Sequence, residues 1–160
     1  MRKILIFFAS ILLVACGFHL RGSVDLPKWL DNVFIINQGG DRELTHTLEK
    51  YFDAYKITIS PSAEQATYWL VIKGAGHEQQ ITSIGSGSNP RQYELIYFVD
   101  FQLQTSKGKP IKPLSHFTVT RQLTVNNDRI LGSDEEANLL ISEMRRDAAI
   151  QILNRLSSIK

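Results

Sequence analysis

At 160 residues the chain is long enough for one domain with a real hydrophobic core and short for two. Its charge is nearly balanced: +2 overall, and taking Arg2 and Lys3 off with an apolar leader leaves 16 basic against 16 acidic residues. That balance excludes nucleic-acid binding through a global basic field, and a single cysteine excludes an intrachain disulfide framework.

The chain opens with Arg2 and Lys3, followed by Ile4 to Val14, apolar except for Ser10. This is the layout of a secretory signal peptide, and the apolar run is well short of the ~20 residues a membrane-spanning helix needs. It closes on Leu13-Val14-Ala15-Cys16, which resembles the lipobox of bacterial lipoproteins. That resemblance implies removal of residues 1–15, a diacylglycerol thioether on Cys16 and an acyl chain on its new amino terminus. Two or more chains anchor stably where one binds only reversibly. Gly17, where an aspartate would resemble an inner-membrane retention signal, favours the outer membrane. No cofactor is expected beyond this covalent lipid.

Residues 16–32 contain Phe18, Leu26, Pro27 and Trp29 without clear periodicity, and read as an extended lead tacked onto a domain over residues 33–160. Val33-Phe34-Ile35-Ile36 is a buried strand ended by Gly39-Gly40. Asp41 is an N-cap candidate for a helix with Leu44, Leu48, Tyr51, Phe52 and Tyr55 on one face. Tyr68-Trp69-Leu70-Val71-Ile72 is the next strand, so the first three elements form a βαβ unit with parallel strands. Residues 79–84 read equally as strand or loop ahead of the tip Gly85-Ser86-Gly87-Ser88.

The clearest strand follows. Tyr93, Leu95, Tyr97, Val99, Phe101 and Leu103 alternate with polar residues, interrupted on the polar side by Ile96 and Phe98. Lys107-Gly108-Lys109-Pro110 marks a turn into a hairpin partner carrying Phe117, Val119, Leu123 and Val125, with Arg121 breaking its apolar face. Arg121 either pairs with an acidic strand neighbour, Asp100 or Glu94, or faces a partner surface. Ser133 and Glu136 form a capping box for a final helix with Ala137, Leu140, Ile141, Met144, Ala148, Ile152 and Leu156 in one stripe. Glu143, Arg145, Arg146 and Asp147 take its other side. The predicted fold is a single α+β domain of order β-α-β-β-β-α, a four-stranded mixed sheet with two helices packed on one face.

Catalytic signals are weak. His77-Glu78 lacks the second histidine of a metalloprotease helix, the glycine pairs are incomplete as phosphate loops, and no nucleophile elbow occurs. The histidines at 19, 46, 77 and 116 show no zinc-site spacing. The expectation is therefore a protein that is not an enzyme and holds no metal. The aromatics Phe18, Trp29, Tyr68 and Trp69 read as core or edge-covering groups rather than a ligand box.

Cys16-Gly17-Phe18-His19-Leu20-Arg21-Gly22 closely resembles the opening of mature LptE-family lipoproteins. The likeness continues at Gln92-Tyr93-Glu94-Leu95, at Val119-Thr120-Arg121 and at Ser142-Glu143-Met144-Arg145-Arg146-Asp147-Ala148-Ala149, and so spans the mature chain. The resemblance implies an outer-membrane lipoprotein that plugs and helps assemble the LptD β-barrel and takes part in inserting lipopolysaccharide into the outer leaflet. Its implied partners are LptD, lipopolysaccharide and outer-membrane lipid, with no nucleic acid. Family members carry a basic residue in the loop before the last helix; here Ile130-Leu131-Gly132-Ser133 stands there, with Arg129 just upstream. In this setting Ile96, Phe98 and Arg121 are candidate barrel contacts. Arg91, Arg129, Lys107, Lys109 and Lys112 are candidates for the lipid phosphates, the alternative for each being an ordinary solvated charge. The competing function is a free-standing periplasmic lipoprotein acting as a binding or chaperone module, and a lipid-anchored hydrolase is a third.

Overall fold

The computed structural model describes residues 24–85, 89–125 and 130–159. The leader, Cys16, Phe18, the middle of the Gly/Ser tip and Arg129 lie outside those residues. The element order is β1 (Asn32–Asn37), α1 (Arg42–Ala54), β2 (Thr58–Ile59), β3 (Tyr68–Ile84), β4 (Pro90–Thr105), β5 (Pro110–Thr124) and α2 (Ile130–Ser157).

The sheet has five strands in the order β2-β1-β3-β4-β5, one more than expected. The added strand is the two-residue β2, parallel to β1 and held by Thr58 N–H to Asp31 O at 2.8 Å and Ser60 N–H to Val33 O at 2.9 Å. Two residues are too few to show a periodicity, so only the pairing reveals it. β1 and β3 are parallel and β3, β4 and β5 form an antiparallel meander, so the sheet is mixed. Residues 79–84 are strand, continuous with Tyr68 and paired to β4 up to Ile84–Pro90.

A bulge between Ile72 and Gly74 hides that continuity from the sequence. Lys73 is the extra residue, and it shifts the period-two alternation by one. Leu70 and Ile72 face the helices before it; Ala75 does so after it, opposite Val99, while Gly74 and Gly76 turn to the other side.

Both helices lie on one face of the sheet. Asp41 caps α1 through Oδ1, which accepts from Glu43 N–H at 2.9 Å, and Leu44, Leu48 and Phe52 enter the core. From α2, Met144, Ala148, Ala149, Ile152, Leu153 and Leu156 meet Tyr97, Val99, Phe101 and Leu103 of β4 and Phe117, Val119 and Leu123 of β5. The lead packs Val24, Leu26 and Trp29 against the core at one end of the sheet, Trp29 edge-on to Tyr68 with ring centroids 5.1 Å apart.

α2 begins three residues earlier than the expected cap, beyond the one or two residues by which helix ends fray. Ser133 is inside the helix and buried, on the stripe of Ala137, Met144 and Ala148, so it is a small residue where the helix approaches the sheet rather than a cap.

Candidate functional site

The sheet's second face is left open by both helices. Directly opposed residues share a face, so its middle rows are Glu78–Ile96–Thr120, Gly76–Phe98–Thr118 and Gly74–Asp100–His116. Gln102 and Gln104 continue it, joined by an amide hydrogen bond of 3.0 Å. Toward β1 the face is apolar, with Phe34 and Ile36 beside Trp69 and the buried Val71. Trp69 is fixed by its indole N–H to Ala63 O at 2.9 Å.

Phe98 sits at the centre of this face, half-buried. A Cβ on Gly76 would stand 3.2 Å from Phe98 Cζ, so the ring lies over the glycine strip and is held flat against the sheet. Next to it His116 Nδ1 and Asp100 Oδ1 are 2.8 Å apart. The result is a flat surface with an aromatic and an aliphatic centre ringed by amides, hydroxyls and one His–carboxylate pair. It presents no cleft, and among the described residues no group of three or more His, Asp or Glu is placed to hold a metal.

Arg121 is not part of this face. It stands opposite Leu95 on the helix side of the sheet, where its guanidinium pairs with Asp147 of α2 and donates to Thr120 O at 2.9 Å. It therefore pairs across layers, with neither Asp100 nor Glu94. Two-residue alternation places it on the inner side, and an arginine there reaches the helix edge.

A second assembly was not legible in advance. Asp41 Oδ2 accepts from Tyr97 Oη at 3.0 Å and from Arg145 Nε at 2.7 Å, tying the start of α1 to β4 and α2. Arg145, expected on the solvated side of α2, is only 19% exposed in its side chain, and Asp41 17%. Burial works to raise the Asp41 pKa, but the bonds from Arg145, Glu43 N–H and Tyr97 outweigh it and the carboxyl sits below its ordinary value. Burial and then the adjacent carboxylate push the Tyr97 phenol above its usual range. Burial opposes the Arg145 cation, yet Asp41 more than compensates and its pKa rises. An open groove of about 540 Å³ between the helices passes Arg145, lined also by Lys50, Tyr51 and Arg146. This network is a structural lock.

The candidate phosphate contacts are split between the two ends of the sheet. Arg91 is at the distal end, where Val125 N–H donates to Arg91 O at 2.9 Å and the Arg91 stem lies on Gly85. Ile81 and Ile84 are exposed there, at 55% and 64%. Lys107 and Lys109 flank the β4–β5 turn at the other end, and Lys112 follows opposite Leu103. The strand between Arg91 and the turn is about 45 Å long at ~3.3 Å per residue. One ligand headgroup does not reach both sets.

Fold and face together define a two-layer α+β module with a mixed-polarity sheet surface that neither helix covers and no cleft resembling a catalytic one among the described residues. The chain matches the LptE family, described as lipopolysaccharide-assembly, over residues 30–156. It belongs to that family. It is 26% identical over 152 residues to the LPS-assembly lipoprotein LptE of Pectobacterium atrosepticum, covering 94% of this chain and 82% of that one. Over 155 residues it is 26% identical to the protein of the same name from Yersinia enterocolitica, covering 96% and 73%. Among solved structures it resembles the uncharacterized lipoprotein B of Nitrosomonas europaea, with a TM-score of 0.74, 28% identity and coverage of 89% and 91%. The rare lipoprotein B of Shewanella oneidensis shares the fold, with a TM-score of 0.65, 23% identity and coverage of 78% and 94%. Family membership makes the chain an LPS-assembly lipoprotein associated with the outer membrane, in a family whose role is non-catalytic.

Proposed function

We propose that the chain is anchored to the outer membrane through acylated Cys16, after loss of residues 1–15, and seats its open sheet face against the lumen of the LptD β-barrel. There it plugs and helps assemble the barrel and takes part in delivering lipopolysaccharide to the outer leaflet. The observation that carries this reading is the face centred on Phe98 and Ile96. A sheet face that stays in water is uniformly polar and one that packs internally is uniformly apolar. This one is mixed, which suits the polar wall of a large outer-membrane barrel. Family membership supplies the biological setting.

At the distal end Arg91 supplies charge for lipid phosphates, with Arg129 as a second candidate from the sequence, and the exposed Ile81 and Ile84 supply apolar surface for acyl chains. A guanidinium–phosphate pair contributes about 1.5–3 kcal/mol. The test is a photo-crosslinking residue in place of Phe98 in the acylated protein in outer membrane, with the products identified. Crosslinks to LptD are expected. Their absence, with the protein recovered alone, replaces the plug by a free-standing periplasmic binding module.

A further inference from the structure

The first described residue, Val24, lies at the same end of the sheet as the β4–β5 turn. Its N–H donates to Tyr55 Oη at 3.1 Å where α1 ends, and Trp29 packs on Tyr68, the register partner of Thr105. Ser106 N–H, at the turn itself, donates to Thr67 O at 3.0 Å. Seven residues separate Cys16 from Val24, eight backbone steps with a reach of at most about 28 Å. On the reading that Cys16 is acylated, this end of the domain stays near the leaflet that holds the anchor.

The turn is built for such a surface. Lys107, Lys109 and Lys112 fall within six residues that contain no carboxylate, and none of the three forms an ion pair among the described residues. Leu114 follows with 60% of its surface exposed, so apolar and cationic groups sit side by side. The described acidic residues at this end are Asp25, in the lead beside Val24, and Asp31, Asp53 and Glu64, which belong to the segments around β1 and β2, across the sheet from the lysines.

We propose that the β4–β5 turn is a membrane-contact element: Lys107, Lys109 and Lys112 bind phosphates of anionic phospholipid in the anchoring leaflet, and Leu114 enters the headgroup region. The inference assigns these lysines to phospholipid instead of lipopolysaccharide and rests on the acylation of Cys16. It fixes the domain's tilt, pointing Arg91 away from the anchoring leaflet. Each lysine near an anionic surface strengthens the contact about fivefold.

The test uses the acylated protein carrying Leu114→Cys, labelled with an environment-sensitive fluorophore, on phosphatidylethanolamine vesicles with or without phosphatidylglycerol. The expected result is a blue shift only with phosphatidylglycerol, reversed by high salt. Changing all three lysines to glutamine should abolish the shift while the protein still floats with the vesicles. No shift, an equal shift on uncharged vesicles, or a shift only when lipopolysaccharide replaces phosphatidylglycerol overturns the proposal. Failure to float at all overturns the acylation reading beneath it, which separates the two.

Discussion

Asp41 does two jobs with one carboxylate: Oδ1 caps α1 while Oδ2 anchors Arg145 and Tyr97. Removing one member of a largely buried charged pair leaves the other unpaired, so Arg145→Ala should cost about 2–4 kcal/mol in urea denaturation, discounted for partial exposure. The Asp41 pKa is depressed in the folded state. Its contribution is therefore complete above the unfolded value of about 4 and is lost as pH falls through the folded one. The denaturation midpoint of the native protein should consequently fall more steeply below about pH 4 than that of Asp41→Asn, and parallel curves would refute the linkage. Arg121 contrasts with this. Its pairing with Asp147 is exposed on both sides, 40% and 41%, so Arg121→Ala should change stability by no more than about 1 kcal/mol.

Between elements, the informative pairing is β3 on β4. The bulge at Lys73 turns Gly74 and Gly76 outward, and the glycines give the Phe98 ring its seat. A β-branched side chain fits a strand, so Gly76→Val should leave folding stability within about 1 kcal/mol while displacing the ring. If the seated ring makes the barrel contact, LptD co-purification should fall as it does for Phe98→Ala, with thermal unfolding little changed. Unaltered recovery with both variants would remove this face from the interface. On the other side of the sheet, Met144 is fully buried between α2 and the strands. Met144→Ala should cost about 2–5 kcal/mol through lost burial and a cavity, read as a lowered melting temperature.

The molecule as a whole is polarised along its strands. One end holds Val24, where the described chain begins, and carries Lys107 and Lys109; the other carries Arg91 with Ile81 and Ile84. Reversing charge at Arg91 together with Arg129, as Arg91→Asp with Arg129→Asp, should reduce lipopolysaccharide co-purification by tenfold or more if both contacts exist, about 1.5 kcal/mol each being sufficient. Equal recovery would make both ordinary solvated charges. Changing the three lysines of the turn should leave that recovery unaltered, since the two ends are too far apart to share a headgroup.

Much of this architecture is written in local patterns. Alternation in residues 93–103, the Asp41 cap and the stripe through Met144 and Ile152 are consequences of periods of two and 3.6, which neighbouring residues alone express. The placement of Ile96 and Phe98 on the polar side of their strand follows from the same rule. What only the tertiary structure decided depends on contacts between distant segments. β2 exists because β1 is there to pair with it, and Lys73 becomes an extra residue only in register with β4. Arg145 finds Asp41 across 104 positions of chain, and Arg121 finds Asp147 across 26. Periodicity tells a side chain which face it takes; packing tells it which partner waits there, and no local pattern encodes that.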